Sequence, residues 1–216
     1  MLGLAFATPG GGGEIGTFAD SAMLARGGMP AGFSPSGGMM LGDHDGMAYR
    51  YAMYCKDATG AVLAACGAAT ASADVVAEWS GVQHATACDA TFDRHGAWTL
   101  TDLASASAGL SGSSALTEDA TFRTSNGMMM SSYHLAAHED LALQLDMATL
   151  AVAGGLSHVS LDVVHDERDM HGTDRESYAM HAHVMFSTGA CTLTLDDSHA
   201  YAIDLATGAA TRAPIR

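Results

Sequence analysis

The sequence predicts an all-β protein, an antiparallel meander forming a sandwich or a barrel, and three observations carry that expectation. Beyond Gly46 the chain runs in short alternating stretches broken by turn residues at intervals that suit strands. The strongest alternation puts Tyr178, Met180, Ala182, Val184 and Phe186 on one face, and Ala179, His181, His183, Met185 and Ser187 on the other. The final hairpin is explicit: Thr192 to Leu195, a turn at Asp196-Asp197-Ser198-His199, then Tyr201, Ile203 and Leu205 at period two.

From Pro9 to about Asp45, Gly, Ser, Ala, Pro and Met dominate without a sustained period. Residues 1–45 are therefore expected to be a flexible Gly- and Met-rich segment ahead of a β domain over 46–216, with room for a short helix across Thr17 to Arg26. Gly11, Gly13 and Gly16 match the spacing of a dinucleotide fingerprint, but the parallel α/β chain that the motif requires does not follow it. Leu2 to Ala7 has the look of the end of an export signal, with Ala5-Phe6-Ala7 as its cleavage site and the basic front missing. Met1 is accordingly expected to lie inside a longer precursor.

Within the β region, Met47 to Cys55 carries Tyr49, Tyr51 and Met53 on one face. Strands are also expected at Val62 to Cys66, Val75 to Trp79 and Ala90 to Asp93, with Arg94-His95-Gly96 turning the chain into Trp98 to Thr101. Asn126-Gly127 is a hairpin dipeptide, so Met128 to Met130 should open a strand paired with Ala120 to Arg123. Tyr133 to Ala153 is rich in helix formers and ends at Gly154-Gly155, and a helix there would make the fold α+β. Leu141, Leu143, Leu145 and Met147 nevertheless alternate strictly, and strand is the preferred reading. Val159, Leu161 and Val163 alternate next, and charged Asp166 to Glu176 forms the tip of a long hairpin with the 178–187 strand.

Composition narrows the function classes. With 216 residues there is room for one domain and a tail, and 48% hydrophobic against 15% charged residues excludes a wholly disordered chain. Aromatic residues are only 6%, so the core is expected to consist of small and medium side chains. A formal net charge of -15 repels phosphate backbones, which argues against a nucleic-acid partner. No run approaches the ~20 apolar residues of a membrane-spanning helix, and the scarcity of aromatics disfavours the girdles of an outer-membrane barrel. Cys55, Cys66, Cys88 and Cys191 are too far apart for a metal knuckle and are expected to form disulfides, Cys55 with Cys66 across a turn and Cys88 with Cys191 over a long loop.

Eleven His and 14 Met in a chain of this size point to copper or zinc as candidate ligands, because imidazole and thioether donors suit them. His181 and His183 share a strand face with Met185. A register with Asp162 opposite His181 and His158 opposite Met185 gathers His158, Asp162, His181, His183 and Met185 as a metal site, and a one-residue slip destroys it. His134 and His138 would share an ion only on a helix. The carboxylates Asp166, Glu167, Asp169 and Asp174, and the run Asp43-His44-Asp45-Gly46, lack full calcium-loop spacing and read as solvated turns. Gly109-Leu110-Ser111-Gly112 lacks the second Gly of a nucleophile elbow, and no catalytic residue is assigned.

The expected function is a non-enzymatic exported domain, in the periplasm, at the cell surface or outside the cell, acting as a binding or structural module. The alternatives are a copper- or zinc-handling protein and an enzyme of a type the sequence does not identify. An open edge strand would support self-association.

Overall fold

The computed structural model describes residues 14–44, 46–85, 87–123, 130–168, 171–205 and 209–213. Helix α1 (Glu14–Ala25) comes first, followed by β1 (Phe33–Ser36), β2 (Met39–His44), β3 (Met47–Lys56), β4 (Ser72–Ala85), β5 (Cys88–Thr101) and β6 (Ser107–Arg123). Then come β7 (Met130–Asp146), β8 (Ala151–Arg168), β9 (Thr173–Ser187), β10 (Ala190–Leu195), β11 (His199–Asp204) and β12 (Ala210–Ala213). Among the described residues these twelve strands form one antiparallel sheet in chain order, with β1 and β12 as its edges. The all-β meander expected from the alternation is present, as one open sheet rather than a closed barrel or two stacked sheets.

A lone sheet has nothing to bury one face against, so it must curl or be covered. Here it does both. Leu100, Leu110, Leu143, Leu145, Val184 and Ile203 belong to one apolar cluster that spans β3 to β11 and includes Phe18, Ala22 and Leu24 of α1. Helix α1 touches β3, β4 and β8, so strands four and five positions apart in the sheet meet the same helix. Phe18 meets the Trp98 ring edge to face at 5.5 Å, and the Trp98 indole N–H donates to Ser21 Oγ at 3.3 Å. At the end of the helix, the Arg26 guanidinium donates to the Met147 carbonyl at 3.4 Å.

The helix stops where the sequence allows a left-handed residue. Gly27 has φ 80°, its N–H donates to Leu24 O, and the Gly28 N–H donates to Met23 O, the paired bonds of a glycine C-cap. The Gly27 Cα lies so close to Gly67 that an added Cβ would meet the Gly67 Cα at 3.0 Å. That cap therefore seats α1 against the loop closed by the Cys55–Cys66 disulfide.

Several expectations are corrected. Residues before Gly46 are not a separate flexible segment where they are described, because α1 is buried in the core and β1 and β2 extend the same sheet. The expected short helix is there, and its apolar face is what ties the segment to the β domain. Val62 to Cys66 is not a strand: only a single bridge joins Lys56 to Val62, and the disulfide fastens the end of β3 to a loop. Arg94-His95-Gly96 is not a turn but the middle of β5. Gly96 leaves room for the Trp98 ring, which would stand 1.7 Å from a Cβ at that position, so the glycine serves packing rather than a turn.

Tyr133 to Ala153 is not helical, and Leu141, Leu143 and Leu145 are buried as their alternation implies, but the strand expected to continue through Thr149 and Ala151 is broken by a turn at 147–150, after which β8 opens. Arg123 pairs with Met130 as expected for the β6–β7 hairpin, whereas Asn126-Gly127, Met128 and Met129 lie outside the described residues, as do Ala5-Phe6-Ala7, Gly11, Gly13, Asp45 and Asp169. Gly16 lies inside α1, and every strand pairing described is antiparallel, so the dinucleotide motif lacks its fold. Cys88 and Cys191 are free thiols and not the second expected bridge, since four strands separate β5 from β10.

Candidate functional site

The two faces of the central strands carry different chemistry because their side chains alternate. On β9, Ala182, Val184 and Phe186 are buried, and His181, His183 and Met185 turn outward. On β8, Ser157, Val159 and Leu161 are buried while His158 and Asp162 point out; on β7, exposed His138 and Asp140 flank the inward-facing Glu139. Where a membrane barrel would carry an apolar band, this outward face carries imidazoles and carboxylates.

Register then decides which outward residues meet. His158 pairs directly with His183, and Ser160 with His181. On the other side of β8, His158 faces Asp140 and Ser160 faces His138. The result is an open groove of about 230 Å³ across β7, β8 and β9, lined by His138, Asp140, His158, Ser160, His181 and His183. The His158 and His183 rings stand edge to face, their centroids 4.6 Å apart. Asp140 Oδ1 lies 3.6 Å from His138 Nε2, and Asp197 Oδ1 lies 3.9 Å from His183 Nε2. The backbone is pinned beside the groove, where the His181 N–H donates to Asp196 Oδ1 at 2.8 Å and the Asp196 N–H donates back to His181 O.

Relative to the expected ligand set, the pairing is displaced by two residues, which preserves the face and changes the neighbours. His158, His181 and His183 are brought together. Asp162 is opposite Ala179 and Met185 opposite Leu156, so neither lines the groove. His138 and Asp140 were missed as partners, because only the β7–β8 register places them beside His158. The candidate pair His134 and His138 lies on a strand, about 13 Å apart from its rise, and His134 instead meets Asp119 at 2.8 Å. At the hairpin tip Asp166 faces Arg175 at 3.6 Å. Ser111 sits within β6 rather than at a strand-to-helix elbow.

A second polar cluster lies on the buried face, and periodicity gave no sign of it. Arg94 of β5 donates to Glu139 Oε2 of β7 at 3.0 Å and to Ser114 Oγ of β6. Ser114 Oγ donates to the same carboxylate at 3.2 Å, and Ser157 Oγ donates to its other oxygen. Burial pulls the Arg94 guanidinium down to about 10, with the Glu139 charge acting against that shift. The Arg94 guanidinium carbon lies 6.0 Å from the Trp79 ring centroid, a cation–π contact at the limit of that interaction. Each carboxylate oxygen accepts at least one hydrogen bond, so the cluster ties four strands together. The groove is the more open of the two to a ligand.

The chain matches no family model, no curated protein and no solved structure among those compared with it.

Proposed function

We propose that the protein is a non-enzymatic, exported β domain that works as a binding module through the outward groove of β7, β8 and β9. The observation that carries the reading is four imidazoles and a carboxylate gathered on a solvent-facing groove, on a face that packing does not require them to occupy. Polar side chains on an exposed sheet face cost little stability, so their convergence is available for recognition. The Cys55–Cys66 disulfide supports the exported assignment, since such bonds persist in oxidising compartments. The acidic charge of the chain argues against nucleic acid as the partner. A copper- or zinc-handling protein is the form of this reading favoured by the direct His158–His183 contact.

Native mass spectrometry of untagged protein purified from its natural source tests the binding reading. A bound low-mass species is expected, and it should be absent from a His158→Ala/His183→Ala variant. A bare polypeptide, or a ligand retained by the variant, would contradict the groove as the binding surface.

A further inference from the structure

We infer that the groove holds one copper or zinc ion, with His158 and His183 as its first two ligands and His181 or His138 as the third. This inference rests on the groove being the binding surface and names what it binds. At metal–nitrogen distances of about 2.0–2.1 Å, two imidazoles on one ion have ring centroids roughly 4.5–5.2 Å apart, as their angle at the metal opens from square to tetrahedral. The His158 and His183 centroids are 4.6 Å apart, so side-chain rotation alone brings both rings onto an ion. The strand ladder already fixes their backbones opposite each other.

His181 and His138 are the diagonal neighbours of His158, one on each side, because both are paired with Ser160. Diagonal positions on a sheet are about 7–8 Å apart, within reach of long side chains. Among the described residues no three His, Cys, Asp or Glu side chains already converge on one point. The third ligand therefore arrives by rotation of an imidazole, and the exposure of His138, with 58% of its side chain in solvent, leaves it free to rotate. Water completes the coordination.

The donor set selects the metal. Calcium takes six to eight oxygen ligands, and magnesium an octahedron of oxygens. This groove offers four imidazoles and one carboxylate, a set suited to copper or zinc. Asp140 and Asp197 add negative potential beside His138 and His183, which favours a cation over an anion.

The test is equilibrium dialysis of the untagged, chelator-stripped 216-residue chain against micromolar Zn²⁺ or Cu²⁺, with the bound metal counted by mass spectrometry. One equivalent is expected for the native sequence. Affinity should fall at least tenfold in His158→Ala/His183→Ala, and remain unchanged in His84→Ala/His134→Ala, which removes two outward histidines elsewhere on the sheet. Thermal melting of both variants confirms that each is folded. No uptake, or uptake that survives in the groove variant, overturns the inference. A groove-dependent ligand other than a metal would overturn the metal assignment and leave the binding reading standing, whereas a bare native polypeptide that also takes up no metal overturns both.

Discussion

Glu139 on β7 reaches across β6 to Arg94 on β5, their charged atoms 3.0 Å apart on the face that packs the core. Both side chains are nearly excluded from solvent, at 12% and 5% exposure, so removing either leaves the other as an uncompensated charge. Glu139→Ala is expected to cost about 3–5 kcal/mol, whereas Arg94→Met/Glu139→Leu should lie near the native stability. Urea denaturation measures both, and an unaltered midpoint for Glu139→Ala would show that the pair is not buried.

The cysteines should separate into three behaviours. Opening the Cys55–Cys66 bridge, which spans 11 positions, is expected to cost about 2–3 kcal/mol in a Cys55→Ala/Cys66→Ala variant. Cys88 is half-buried and should react with a thiol reagent in the folded protein. Cys191 is buried and its thiol is pushed up to about 11, so it should react only after unfolding. Thiol counting before and after denaturation reads this as a fast thiol and a slow one. Two fast thiols would contradict the packing around Cys191.

Helix α1 is predicted to be part of the domain and not a leader to it. Phe18 is 1% exposed and packs on Trp98, so Phe18→Ala should cost about 3–5 kcal/mol in chemical denaturation. A change below about 1 kcal/mol would mean that the sheet does not depend on the helix.

Asp74 supplies a pH signature. Its carboxyl is held below the ordinary value of 3.8, first by the hydrogen bond from Lys56 and then by that from Thr99. A depressed carboxyl contributes stability that is fully present above the unfolded value and disappears as pH falls through the folded one. The side chain is 44% exposed, which limits the contribution to about 0.5–1 kcal/mol. Asp74→Asn should melt below the native protein at pH 6, and the gap should close on acidification below the ordinary carboxyl value. A gap that persists there would assign the effect to something other than this charge.

How much of this was legible in the sequence follows from what alternation encodes. Leu141, Leu143 and Leu145 announced a strand despite their helix propensity, since burial of one face outweighs intrinsic preference. The outward placement of His181 and His183 was readable for the same reason. Their partners were not, because the pairing of His158 with His183 depends on where the β8–β9 hairpin turns, and a two-residue displacement leaves the hydrophobic pattern unchanged. Arg94 read as a turn residue because its partners, Ser114 and Glu139, lie on two other strands. The burial of α1 was hidden by its small residues: Ala19, Ala22 and Ala25 resemble linker composition until a curled sheet closes around them.

If the groove of β7–β9 is the binding surface, with His158 and His183 at its centre, imidazole NMR reads it residue by residue. The side-chain nitrogen signals are followed while Zn²⁺ is titrated into the untagged chain. His158 and His183 are expected to shift first and saturate together at one equivalent, with His138 or His181 following and His84, His95 and His134 unmoved. Shifts spread evenly over all the outward histidines, or absent from His158 and His183, would contradict it.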